Sequence, residues 1–456
     1  MGTFLLLRDA HHPGVLYYSA TDGGLELSKT TATGIVGAYG GLVYLSTVLG
    51  GWLADRVLGM ERTVFYGGVV VMLGHIALAV LPGITGVAAG LVLVALGSGA
   101  LKANASSLLG TLYDKGDARA DGGFTLFYLG INLGAFVGPL ITGLLQTRMG
   151  FHYGFGAAAI GMALGLTQYV VFRRNLGSHG REVPNPLPRS GILPAAAVGV
   201  GVVAVAVAAF ASGLVTLANL SQVTTGVIII AAIGYFALLL TSPKVDAGER
   251  TRVRAFIPLF IANAVFWSLF QQIFTVLAVY SDERMNWSIF GWTAPSSWIG
   301  SIEPIWIIAL SPLFAVMWTR LGRRAPTTPR KFAYGVIGMG AAFLLFLPFA
   351  GTTGRAVPAL FIVAVMAGFA VSELMISPIG LAVTTQLAPD AFRAQMMALY
   401  FFSVGLGTSM SGVLARYYDP AHEFAYFGIL GLVAIGAGLL VLAYTGRISR
   451  LMPGVH

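Results

Sequence analysis

The sequence predicts an all-α polytopic membrane protein, and three observations lead there. Of its 456 residues, 56% are hydrophobic and 10% charged, against about 25% charged in soluble domains. The mean hydropathy is +0.81. Apolar blocks of about 20 residues, enough to cross a ~30 Å hydrocarbon core as helix, recur along almost the whole length. They lack the period-two alternation of an outer-membrane barrel. With no cysteine, disulfides, thiolate chemistry and Cys-based metal sites are excluded. The net charge of +9 resides in short connections between apolar blocks, the topogenic bias of a membrane protein rather than a nucleic-acid-binding stripe.

Hydropathy places helices at 32–54, 63–81, 86–110, 124–146, 153–172, 192–217, 222–242, 255–280, 298–320, 331–350, 356–386, 393–415 and 424–446. Ahead of them, TFLLLRDAHHPGVLYYSA has apolar ends, but Arg8, Asp9, His11, His12 and Pro13 interrupt its middle and make it a poor first span. Lys and Arg distribute twenty to five between alternate sets of loops, the smaller set being Lys29, Arg148, Arg284, Arg355 and Arg416. The larger set is therefore expected in the cytoplasm, together with the C-terminus. The spans at 192–217 and 222–242 hold no ionisable residue and read as lipid-facing scaffold. Without them six spans remain on each side, counting the weak one. That is the pattern of a two-bundle secondary transporter with its site near mid-membrane. The expected division is an N-terminal bundle over 1–172, a linker with an inserted pair over 173–254, and a C-terminal bundle over 255–456.

Intramembrane ions are rare and usually face the interior with a partner. Among Lys, Arg, Asp and Glu, only Lys102, Glu303 and Glu373 fall well inside the predicted spans. Opposite charges favour each other's ionised forms, and an unpaired buried carboxylate is pushed toward protonation. A carboxylate that gains and loses a cationic partner as two bundles rock would bind and release a proton in step with substrate, and Glu373 is the best candidate. In the loop GGWLADRVLGMERT, Asp55, Arg56 and Arg62 stand where adjacent helices end, and such charges can hold one state closed. The plainer reading is a topogenic basic loop. His75, alone on an apolar helix, reads as a satisfied packing residue.

The Gly51-x-x-x-Asp55-Arg56 spacing resembles the signature of the major facilitator superfamily. GALKANASSLLGTLYD (99–114), FTLFYLGINLGAFVGPLITG (124–143), IPLFIANAVFWSLFQQ (257–272) and SELMISPIGLAVTTQLAP (372–389) resemble the proton-coupled oligopeptide transporter family, in order and spacing from about Gly23 to Arg450. The resemblance implies the major facilitator fold with an inserted helix pair. It also implies import of di- and tripeptides or peptide-like molecules with protons, across a cytoplasmic membrane, by a protein embedded in the bilayer. No cofactor beyond the proton gradient is implied, and a monomer is expected. Lys102 corresponds to the lysine of the family's fourth helix, which attracts the peptide carboxylate and pairs with an acid of the tenth, here Glu373. Asn132 corresponds to an asparagine contacting the peptide backbone or amino end. Tyr44 and Trp267 match an aromatic of the second and seventh helices, and Tyr400 falls where relatives line a side-chain pocket. The proton is expected on Glu373 and Glu303, with Asp55, Arg56 and Arg62 at the gate.

Three departures stand out. The family's first-helix E-x-x-E-R motif is absent, with RDAHHP in its place. The seventh-helix glutamate is Gln271, which cannot ionise. The eighth-helix asparagine before a proline is Glu303, in SIEPIW. Either the proton site has moved to Glu303, or Glu303 binds the substrate's ammonium or caps a helix. The missing motif also points to a start upstream of Met1 or, alternatively, to a transport-impaired peptide-binding or sensor protein. No Walker A sequence, metal motif or nucleophile elbow appears, so an enzyme is not expected.

Overall fold

The computed structural model describes residues 24–113, 119–178, 180–289, 291–352 and 354–452. Helix α1 spans Lys29–Leu53, α2 Met60–Val80, α3 Gly83–Gly110, α4 Arg119–Met149 and α5 Phe151–Phe172. Then come α6 (Arg189–Ala211), α7 (Leu220–Thr241), α8 (Ala247–Phe270) and α9 (Val276–Glu283). The last five are α10 (Ile299–Leu321), α11 (Thr328–Leu344), α12 (Ala359–Leu387), α13 (Arg393–Leu414) and α14 (Glu423–Arg450). Among the described residues they make the thirteen membrane-length spans expected from hydropathy. The weak segment ahead of them falls on residues 1–20, outside the described residues.

Local chemistry sets the boundaries. Ser28 caps α1 by accepting from the Thr31 amide, and α8 opens on a capping box in which Asp246 and Glu249 each accept the other's backbone N–H. The span expected as one helix over 255–280 is broken: α8 ends at Phe270, a tight turn runs over Gln271–Phe274, and Thr275 leaves helical geometry before α9. Two adjacent glutamines mark the break, and Gln272 is held there by the Tyr426 hydroxyl at 2.8 Å. The helix expected to reach residue 217 stops at Ala211, because Gly213 takes a left-handed φ of 75°.

The two bundles are packed by different means. In α1–α3, small residues bring backbones together: a β-carbon at Gly50 would lie 2.5 Å from the Ala100 Cα of α3. In α8–α14 aromatic rings fill the space, with Phe346 stacked on Phe427 at 4.6 Å and Tyr280, Phe343 and Phe369 around them. Helix α6 buries none of its residues, as expected of lipid-facing scaffold. Helix α7 departs from that expectation. It buries Ser221, Thr224 and Thr225, and the Thr225 hydroxyl bonds Ser409 of α13. Packed on both α1 and α13, it braces the seam between the bundles.

The two ends of that seam differ. At the end away from the arginine-rich loops, Lys29 and Glu283 form an ion pair of 2.6 Å. There the Trp298 indole donates to the Leu140 carbonyl and the Ser301 hydroxyl to that of Phe136. Beside this latch, Glu423 receives two bonds from Arg284, at 3.0 and 3.1 Å, both groups being buried. At the basic end Leu126, Ile131 and Leu133 of α4 stand exposed. An ion pair thus fastens the face away from the arginine-rich loops.

Candidate functional site

A cavity of about 520 Å³ is lined by α1–α5, the α8–α9 break, α9, the start of α10 and α13. Its wall includes Tyr44, Lys102 and Gln271. Helix α3 delivers Lys102 with small residues on either side, LGSGALKANAS, so that the helix packs closely on α1 while the long side chain reaches the opening. The Lys102 ammonium lies 4.9 Å above the Tyr44 ring, a cation–π contact that compensates part of its lost hydration. Lys102 is exposed to the cavity. Among the described residues it has no carboxylate partner.

This corrects the expected Lys102–Glu373 pair. Lys102 belongs to α3 of the first bundle and Glu373 to α12 of the second, and among the described residues no ion pair joins them. Glu373 instead lies close to Glu303 of α10, within electrostatic reach of it, and accepts from the Ser377 hydroxyl at 3.3 Å. Two carboxylates brought that near repel each other, so the site favours a proton on one of them. Glu303 is 8% exposed, and its Oε1 has no partner. Prolines thin the backbone bonding nearby: Pro304 has no N–H to return to Gly300, nor Pro378 to Leu374.

Asn132 and Tyr400 gather around the acids rather than on the cavity wall, which Tyr44 lines. Asn132, buried, donates to the Tyr128 carbonyl at 3.0 Å, and the Tyr128 phenol is within electrostatic reach of both carboxyls. The buried Tyr400 hydroxyl donates to the Ser377 carbonyl at 3.3 Å, one residue link from Glu373. Tyr44 stacks on Phe401, beside Tyr400, and so joins the cation to this cluster. Trp267 is packed edge-on against Phe266 and Phe270, its indole N–H without a partner.

Two features escape hydropathy. His75 lines the cavity with its Nδ1 buried and unpartnered, which overturns its reading as a satisfied packing residue. The α8–α9 break brings Gln271, Ile273, Phe274 and Thr275 to the same wall, and the Thr275 hydroxyl is likewise unpartnered. Interrupted helices are where membrane transporters expose backbone to substrates. The adjacent glutamines were the available signal. Asp55 and Arg56 face neither bundle across the seam. They pair with each other at 3.5 Å, and the segment at 185–187 runs against them, with the Asn185 side chain donating to Asp55 at 2.9 Å. Arg62 lies apart, in a recess with other arginines.

The family model described as POT family matches residues 61–431. The chain belongs to the POT family. It is 39% identical to a di-/tripeptide transporter of Lactococcus lactis subsp. cremoris, over 96% of this chain and 90% of that one. Among solved structures it resembles the peptide transporter POT in complex with alafosfalin, at 44% identity and a TM-score of 0.89 over 96% of this chain and 90% of that one. A POT family transporter in complex with 5-aminolevulinic acid matches at 33% identity and a TM-score of 0.88 over 95% and 91%. The fold is thus the major facilitator type expected from the sequence, with the inserted pair as α6 and α7.

Proposed function

We propose that this POT family member is a secondary active symporter importing di- and tripeptides, and peptide-like amines with a carboxylate, together with protons by alternating access. The observation that carries the reading is the cation: Lys102 faces the cavity over Tyr44 with no carboxylate partner among the described residues, a charge that a substrate carboxylate can pair with. The family relatives bound to alafosfalin and 5-aminolevulinic acid support a ligand of that chemistry.

The proton resides on the Glu303–Glu373 pair, which takes over from the ionisable group that Gln271 cannot supply. As the bundles rock, closing the basic end brings α3 toward α12 and gives Glu373 a cationic alternative in Lys102. The pair then opens, and its proton is freed to move with the substrate. Asn132 and Tyr400 contact the peptide beside these acids, with Trp267 packing the wall. The arginine-rich face is cytoplasmic by its charge bias, as is the C-terminus, so the arrangement here is open inward and latched outside by Lys29–Glu283. The bundles over 1–172 and 255–456 move as units, linked by 173–254, with Asp55, Arg56 and Arg62 gating the cytoplasmic end. The working unit is a monomer in the cell membrane.

Uptake of labelled dialanine by proteoliposomes tests this reading. An inward proton gradient is expected to drive accumulation that a protonophore abolishes. Peptide binding without gradient-driven accumulation would refute symport.

A further inference from the structure

Where α2 and α5 reach the basic face, a recess of about 440 Å³ is lined by Arg62, Val170, Arg173, Arg174 and Arg181. We propose that this recess binds the phosphate headgroup of an anionic phospholipid, independently of the transport reading. Four guanidiniums face one carboxylate: Glu61, buried, takes two bonds from Arg173. Among the described residues Arg62, Arg174 and Arg181 have no ion-pair partner. Glu182, the acid next to Arg181 in sequence, is exposed and does not line the recess. Like charges so grouped repel unless an anion lies among them, and guanidinium forks match phosphate oxygens in pairs.

The recess is built rather than fortuitous. The Glu61 amide donates to the Gly180 carbonyl at 2.9 Å, while Asn185 and Leu187 donate to the carbonyls of Asp55 and Arg56. The segment carrying Arg181 is thereby fastened across the α1–α2 turn, opposite Arg62. Gly59, at φ 78°, permits this approach, because a β-carbon there would lie 2.7 Å from the Arg181 carbonyl oxygen. The surface next to it selects the source of the phosphate. Ile160, Leu164, Val171 and Phe172 form an exposed apolar run on α5 leading directly to Arg173 and Arg174. A free phosphate has no use for that run, whereas acyl chains lie along it. Basic pockets at the cytoplasmic ends of membrane helices are suited to such headgroups.

The test is retention of phosphatidylglycerol by the full chain in detergent, read by native mass spectrometry. Arg174→Gln/Arg181→Gln is compared with wild type and with Arg320→Gln/Arg330→Gln at the same face of the second bundle. Arg173 is left intact because it holds Glu61. Loss of two surface arginines is expected to weaken retention about 30-fold, the control pair to change it little, and phosphatidylcholine to be retained weakly by all three. Should the double variant unfold, Arg181→Gln alone is expected to lose about fivefold. Equal retention by wild type and either folded variant overturns the proposal. So does displacement of the lipid by millimolar inorganic phosphate, which would make this a free-anion site, or equal retention of phosphatidylcholine.

Discussion

Lys102 and the Glu303–Glu373 pair are ionisable regions of the same membrane interior, and the protein treats them in opposite ways. The cation is left exposed to a cavity, compensated by the face of one tyrosine. The acids lie close to each other, one of them 8% exposed, where like charges oppose double ionisation. A permanent structural pair looks different again: Arg284 and Glu423 are joined by two bonds, with Tyr418, Thr352 and two carbonyls completing the set. The difference teaches that Lys102 and Glu373 are kept apart at a cost, each stabilised by something weaker than an ion pair. Groups held that way can respond to a ligand and a proton.

The sharpest contrast is with the structural pair itself. Glu423→Ala strands the buried Arg284 and is expected to destabilise the fold by about 3–5 kcal/mol, seen as a lowered thermal midpoint in detergent. Lys102→Ala is expected to leave that midpoint near wild type, because among the described residues Lys102 has no ion-pair partner to strand. If both variants melt alike, Lys102 is structural and the comparison fails.

Lys102→Ala should instead remove substrate. Truncating one partner of a charge pair costs about 2–5 kcal/mol, so calorimetric titration with dialanine is expected to show binding lost or weakened by orders of magnitude. The C-terminal amide of dialanine, lacking the carboxylate, should bind wild type no better than dialanine binds the variant. Tyr44→Leu is a smaller perturbation. It removes the ring beneath the ammonium and is expected to change the affinity for dialanine by about 0.5–2 kcal/mol, while Tyr44→Phe, which keeps a ring face, should lie close to wild type. Equal effects of Leu and Phe would assign Tyr44 through its hydroxyl rather than its face.

How far this arrangement could be read in advance depends on distance along the chain. The spans are legible because each is set by its own run of apolar residues, and the family motifs because they are contiguous. Lys102, Glu303 and Glu373 declare themselves by charge at membrane depth. Their pairing does not, because Glu303 and Glu373 lie on different helices, and which of two candidate partners an acid takes depends on whether the bundles are parted. The interruption at Gln271–Thr275 was hidden for a different reason: an average over a window of apolar residues passes over four residues of tight turn. His75 was misjudged because one histidine on an apolar helix carries no mark of whether a neighbour reaches its ring nitrogen.

The most direct test of the account concerns Glu303, the acid that α10 brings beside Glu373. In proteoliposomes, Glu303→Gln is expected to exchange labelled dialanine for unlabelled dialanine inside, yet to accumulate none uphill under an inward proton gradient. The shared proton would have lost one of its two seats. Uphill accumulation at the wild-type level by Glu303→Gln would contradict the claim that the acid pair carries the proton.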